Sequence, residues 1–254
     1  FPDRTAVIGK EGTVSLAEMN ARVRAAATLF AEQPADTVVF LGLNGAAFPT
    51  ALFASAVAGK PFAPLNYRLP DVDLCKLLAR TSPSVAVVDD DMLSRVENVE
   101  GVTFISRTAF EAACSDALRR AKELPESESD IAVLLFTSGT TGEPKAAVLR
   151  HHHLSSYVIS TVDFMGAEEE EGALVSVPPY HIAAISAIMT NIYGGRRIVY
   201  LPTFTPEAWV DAAVEHTITH AMVVPTMLGR ILEVLDSRGI GLPHLRALSY
   251  GGGR

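Results

Sequence analysis

The chain has 254 residues, 48% of them apolar and 20% charged, and its 29 acidic against 21 basic side chains give a net charge of −8 at pH 7. That is enough apolar material to bury one large core or two modest ones. With no basic block to neutralise a run of phosphates, nucleic-acid binding is excluded as the first expectation.

The N-terminus, Phe1-Pro2-Asp3-Arg4, lacks the charged-then-apolar pattern of a secretory leader. Two cysteines, Cys75 and Cys114, are too few for a disulfide framework and read as packing residues. Both features favour a cytoplasmic location.

The uncharged run from Val38 to Gly59 is long enough to be tested as a membrane span. Asn44-Gly45 and Pro49 divide it instead into a strand, a turn and a helix ending at Gly59, so no transmembrane segment is expected, and only peripheral membrane contact stays open. Further short apolar or β-branched runs at Ala63 to Leu65, Val85 to Val88, Ile131 to Phe136, Ala173 to Val177, Arg197 to Leu201 and Met222 to Val224 predict strands. Helical patterns lie between several of them, so the fold class is α/β, with mainly parallel sheets flanked by helices.

Asp71 to Arg80 predicts a helix with acids in its first turn and bases later. Pro206 to Glu215 predicts another, with Thr205 as N-cap and Pro206 at the first helical position. The acidic stretch from Glu123 to Asp130 reads as a linker and a candidate subdomain boundary. Glu168 to Glu171 reads as solvated surface, and His151-His152-His153 points in several directions around a helix start, which suits no single metal.

The strongest functional signal is Phe136-Thr137-Ser138-Gly139-Thr140-Thr141-Gly142-Glu143-Pro144-Lys145. Gly139 and Gly142 tolerate positive φ, Thr137, Ser138, Thr140 and Thr141 bring hydroxyls, and Lys145 brings a cation. Backbone N–H groups gathered in such a loop, backed by hydroxyls and one ammonium, can solvate an oligophosphate. The spacing is not that of a P-loop NTPase, in which Lys directly follows the last glycine.

This stretch resembles the signature loop of the adenylate-forming ligases, a family that includes acyl-CoA synthetases, luciferases and the adenylation domains of peptide synthetases. Its form is Thr-Ser-Gly-Thr-Thr-Gly-x-Pro-Lys-Gly, and residues 137 to 145 match each defined position, while Ala146 replaces the last glycine. Other stretches are similar in order: Ala58-Gly59-Lys60-Pro61 with Pro64 to Leu69, His151 and Leu154, Pro178-Pro179-Tyr180-His181, Val224-Pro225-Thr226, and Leu245 to Gly253.

The resemblance implies two similar subdomains, and it implies roles for individual residues. Thr137, Ser138, Gly139, Thr140, Thr141, Gly142 and Lys145 would contact the ATP triphosphate, with Thr137 also near Mg²⁺. His181 would lie beside the acyl group as the candidate catalytic residue, and Gly251, Gly252 and Gly253 would line the adenylate and acyl pocket.

The implied activity is ATP-dependent activation of a carboxylic acid to acyl-AMP, then transfer to CoA. The small and apolar residues from Ile182 to Tyr193 favour a fatty acid. A fatty-acyl-AMP ligase loading an acyl carrier protein is the nearest alternative, and a non-catalytic binding module is a third. The family's Tyr-Gly-x-Thr-Glu segment, ribose-binding Asp, hinge and C-terminal domain have no counterpart in these residues. The resemblance therefore implies an N-terminal fragment that would not turn over alone.

Overall fold

The structure is a computed structural model that describes residues 1–10, 12–96, 98–116, 122–124, 129–137 and 145–251. Its strands are β1 (Thr5–Gly9), β2 (Gly12–Ser15), β3 (Thr37–Leu41), β4 (Phe62–Pro64), β5 (Ser84–Val88), β6 (Val102–Ser106), β7 (Ile131–Thr137), β8 (Lys145–Arg150), β9 (Gly172–Val175), β10 (Arg197–Tyr200), β11 (His220–Val223) and β12 (Ala247–Tyr250). Its helices, numbered in chain order, are α1 (Leu16–Ala31), α2 (Ala47–Val57), α3 (Asp71–Thr81), α4 (Arg107–Ser115), α5 (His151–Thr161), α6 (Ile182–Gly194), α7 (Pro206–Glu215) and α8 (Pro225–Arg238).

The strands form two six-stranded sheets, ordered β12-β11-β9-β10-β1-β2 and β6-β5-β3-β4-β7-β8. Each is parallel except at one edge, where β2 runs against β1 and β8 against β7. By contacts the chain divides into two compact units, one of Phe1–Leu16, Asn44–Ala46 and Tyr157–Arg254, the other of Ala17–Leu43 and Ala47–Ser156. The acidic 123–130 stretch falls inside the range of the second unit.

The expected α/β class with mainly parallel sheets is what the structure has, for the anticipated reason. Strands β3 and β5 are buried at every residue, which requires both faces of the sheet to be covered and therefore an unbroken apolar sequence. Phe40 on β3, Phe62 on β4 and Phe48 on α2 pack with ring centroids 5.1 to 6.4 Å apart. The uncharged Val38–Gly59 run is thus β3, a turn and the buried helix α2. Among the described residues no helix is long and apolar enough to cross a membrane.

Helix ends follow local chemistry. The Thr205 hydroxyl accepts from the Ala208 N–H with Pro206 in the first turn of α7, as the sequence predicts. Gly195 closes α6 at φ 75°, a left-handed cap at which a side chain would be strained and would also meet Met165 and Arg4.

In the second unit, the turn after β3 is fixed by an ion pair. Arg107 Nε lies 2.6 Å from Asp89 Oδ1, Asp89 Oδ2 accepts from the Leu43 N–H at 2.8 Å, and Arg107 Nη2 donates to the Leu43 carbonyl. Burial pushes the Asp89 carboxyl up, against the opposing pull of Arg107 and the Leu43 N–H. Gly42 lets this carboxylate come close, since a Cβ there would sit 2.2 Å from Asp89 Oδ1.

Candidate active site

Within the second unit, β7 and β8 bring the two flanks of the signature loop together. Thr137 and Lys145 are register partners at the end of the antiparallel pair. Lys145 is exposed as the first residue of β8. Ser138, Gly139, Thr140, Thr141 and Gly142 lie outside the described residues, and Thr137 is described through its backbone only.

Within the first unit, the other candidates gather where parallel strands end. His181 follows β9 through Pro178-Pro179-Tyr180 and is the N-cap residue of α6, with its ring centroid 4.6 Å from that of Tyr180. Gly251 follows β12, and its N–H donates to the Val223 carbonyl at the end of β11. A Cβ built on Gly251 meets nothing within 4 Å among the described residues. Gly252 and Gly253 lie outside the described residues. Ligand sites in open parallel sheets sit outside the carboxyl ends of the strands, which is where His181 and Gly251 stand.

Asn44, not singled out by sequence, holds the segment that leads to His181. It is 2% exposed, and its Nδ2 donates to the Val177 carbonyl at 2.9 Å, while its Oδ1 has no partner among the described residues. A buried amide joined to a backbone carbonyl so far along the chain fixes the path of residues 177–181. An Asn followed by Gly reads most directly as a turn, which hides this role.

Beneath the strand ends lies a cavity of about 190 Å³ between the sheet and α6. Sheet register arranges its floor in two rows. Ala173, His220 and Ala247 are neighbours at the amino ends of β9, β11 and β12, and Val175, Met222 and Ser249 are neighbours nearer the carboxyl ends. Two residues along a strand separate the rows by about 7 Å. Ser186, Ala187, Thr190 and Asn191 cover these rows from one face of α6, and Tyr157 of α5 joins the lining.

At the amino ends lies a charged cluster. Glu171 Oε2 accepts from Arg196 Nε and Nη2 at 3.0 and 2.8 Å, and Glu171 Oε1 accepts from Arg246 at 2.8 Å. Arg196 Nη1 also donates to Asn191 Oδ1, and His220 Nδ1 lies 2.9 Å from the Thr219 hydroxyl. Burial alone would raise the Glu171 carboxyl, but the hydrogen bonds and charge of Arg196, with His220 and Arg246 behind them, hold it below its ordinary value. Burial pushes the His220 imidazole down, and Arg196 adds to that, so it is neutral at pH 7.

This cluster corrects the reading of Glu168 to Glu171 as surface. The first three are exposed, but Glu171 is 9% exposed. The missed signal is positional: Glu171, Arg196 and Arg246 each directly precede or open a strand of one sheet, and Gly172 pairs with Arg197 in register. The histidine run opens α5 as expected, with the His153 ring accepting from the Arg150 N–H at 3.3 Å. Among the described residues no group of three or more His, Cys, Asp or Glu side chains is placed to hold a metal.

Two mainly parallel sheets flanked by helices, with Thr137 and Lys145 paired at the edge of one of them, place the chain among the α/β proteins. Residues 1–254 match the AMP-binding enzyme family, and the chain belongs to it.

Among its relatives, a feruloyl-CoA synthase of Amycolatopsis sp is 31% identical, over 99% of this chain and 52% of that protein. An indoleacetate–CoA ligase of Aromatoleum aromaticum is 27% identical over 98% of this chain and 52% of its own length. The chain thus spans about half the length of the curated relatives it matches. The o-succinylbenzoate CoA synthetase of Bacillus subtilis, solved with its acyl-adenylate intermediate, superposes with a TM-score of 0.81 at 26% identity, covering 99% of this chain and 51% of that one. The same enzyme has also been solved with ATP and a magnesium ion.

Proposed function

We propose that the protein is the part of an acyl-CoA synthetase that binds ATP and a carboxylic acid. In the first step a carboxylate oxygen attacks the α-phosphorus of ATP, forming acyl-AMP as the bond to pyrophosphate breaks. In the second, the thiol of CoA attacks the acyl carbon and AMP leaves. Negative charge grows on the departing pyrophosphate, so donors and a cation fixed around it stabilise the transition state.

Thr137 through Gly142 and Lys145 are suited to that task, and the pairing of Thr137 with Lys145 supports it, because it brings the cation and a hydroxyl residue to the mouth of one loop. The Thr137 hydroxyl, a hard oxygen donor, fits a place beside the magnesium ion that accompanies ATP, which would neutralise phosphate charge there. His181 borders the acid, and Gly251 with Gly252 and Gly253 offers the adenylate a backbone surface free of side chains.

The identity of the acid is a separate matter. The small and apolar composition of α6 suits a fatty acid, but the face it turns to the cavity is Ser186, Ala187, Thr190 and Asn191. The relatives' names, feruloyl-CoA synthase, indoleacetate–CoA ligase and 2-succinylbenzoate–CoA ligase, favour an aromatic one. Cavity size also favours the aromatic acid: a dry cavity of about 150 Å³ accepts a benzene ring, and the space here, about 190 Å³, is of that order.

The observation that carries the ligase reading is the family match over residues 1–254. Its test is product analysis of the complete enzyme with ATP, an aryl acid and either CoA or an acyl carrier protein. Acyl-CoA and AMP are the expected products. Acyl-carrier protein without acyl-CoA would favour the carrier-loading alternative, and binding of ATP with no product in either case would favour a binding module.

A further inference from the structure

The cavity floor is asymmetric. Nearest the strand carboxyl ends, its lining is Val175, Val177, Met222 and Ala187 with two serines, Ser186 and Ser249; at the amino ends it holds the larger polar groups His220, Thr190 and Arg196. Among the described residues His220 Nε2 has no hydrogen-bond partner, whereas the Thr190 hydroxyl donates to the Ser186 carbonyl and keeps only its acceptor side; Ser249 and Tyr157 are exposed. Three of the five Arg196 N–H donors are taken by Glu171 and Asn191. Two guanidiniums face the single carboxylate of Glu171, which leaves a positive surplus beside the polar end.

If the acid presents its carboxyl group at the strand carboxyl ends, where His181 and Gly251 stand, its far end points down the strands toward His220. Four residues of strand separate Ala247 from Gly251, a span of about 13 Å. That matches a ring acid with a short side chain and is too short for a long alkyl chain lying straight.

Resting on the ligase reading above, we propose that His220 recognises an oxygen substituent at the distal end of a compact aromatic acid and so sets acid specificity. A neutral imidazole whose Nδ1 side is taken by Thr219 offers its Nε2 edge to a hydroxyl or carboxylate on the ring. A plain alkyl end there would leave that edge and its polar neighbours without partners, and a site built to hydrogen-bond a substrate group discriminates strongly against the analogue lacking it.

The test is acid-dependent ATP–pyrophosphate exchange by the complete enzyme with 4-hydroxyphenylpropenoate, 4-carboxyphenylpropenoate, phenylpropenoate and hexadecanoate. At least one oxygen-bearing acid is expected to exceed phenylpropenoate in kcat/KM by about tenfold or more, and hexadecanoate is expected to be the poorest. The two oxygen-bearing acids tell a hydroxyl-reading site from a carboxylate-reading one. His220→Leu should reduce the preference to near unity, and His220→Gln should keep part of it.

Where His220→Leu fails to fold, His220→Gln reads the same preference, which should fall without vanishing. Hexadecanoate as the best substrate, or a preference unchanged in these variants, would overturn the proposal while leaving the ligase reading intact. No exchange with any acid would overturn both.

Discussion

Asp89 and Glu171 are both buried carboxylates bound by arginine, and they are held in opposite ways. Asp89 faces one guanidinium, and its carboxyl is pushed up by burial, with Asp91 and Asp90 adding to it. Glu171 faces two guanidiniums, and its carboxyl is held down despite its burial. The first arrangement is a closed lock on the turn after β3. The second gathers two guanidiniums on one carboxylate beside a cavity, with Arg246 exposed to solvent.

The largest expected difference comes from removing the charge. Glu171→Gln leaves the buried Arg196 facing an amide and should cost about 3 to 5 kcal/mol in denaturant unfolding, with the exposed Arg246 adding under about 1 kcal/mol. Asp89→Asn should cost clearly less, because its carboxyl is already disfavoured as an anion. Equal losses would erase the contrast.

Asn44→Ala should cost about 1 to 3 kcal/mol, since it strands the Val177 carbonyl in the interior. It should also lower kcat in the complete enzyme through displacement of residues 177–181, an effect that a purely structural amide would not produce. Gly42→Ala should cost a comparable or smaller amount, about 1 to 3 kcal/mol, because Asp89 is pinned by Arg107 and the Leu43 N–H and cannot easily retreat from the new methyl group.

The finest test is pH. His220 binds its proton less readily in the folded chain than at its ordinary 6.5, so the unfolded chain is protonated first and stability begins to fall as the pH drops below that value. Glu171, held below its ordinary 4.5, contributes stability above that pH and loses it as the pH falls through its folded value. Asp89 acts oppositely: its contribution is greatest below its ordinary 3.8 and is lost as the pH rises through its raised folded value. Unfolding titrations of Glu171→Gln should flatten the acid-side loss, and those of Asp89→Asn should steepen it.

Much of the fold was legible because buried parallel strands leave unbroken apolar runs: β3, β5, β7 and β10 start or end within a few residues of their predicted limits. Strands β2 and β8 pair at sheet edges with much of their surface exposed, so little apolar patterning marks them. The segment from Phe136 to Lys145 stood out because its hydroxyls, glycines and lysine are nearly consecutive. Glu171, Arg196, His220 and Arg246 did not, since only the register of parallel strands joins residues so far apart in the chain. Asn44 was hidden in the same way, its partner being a backbone carbonyl that carries no sequence signal.

The central claim is that the Thr137–Lys145 segment holds the ATP phosphates while a carboxylic acid takes the AMP. Acid-dependent ATP–pyrophosphate exchange by the complete enzyme, compared with its Lys145→Ala variant, tests it most directly. A loss of roughly 10² to 10³ in the exchange rate with the fold intact is predicted. Exchange at the unaltered rate in that variant would contradict it.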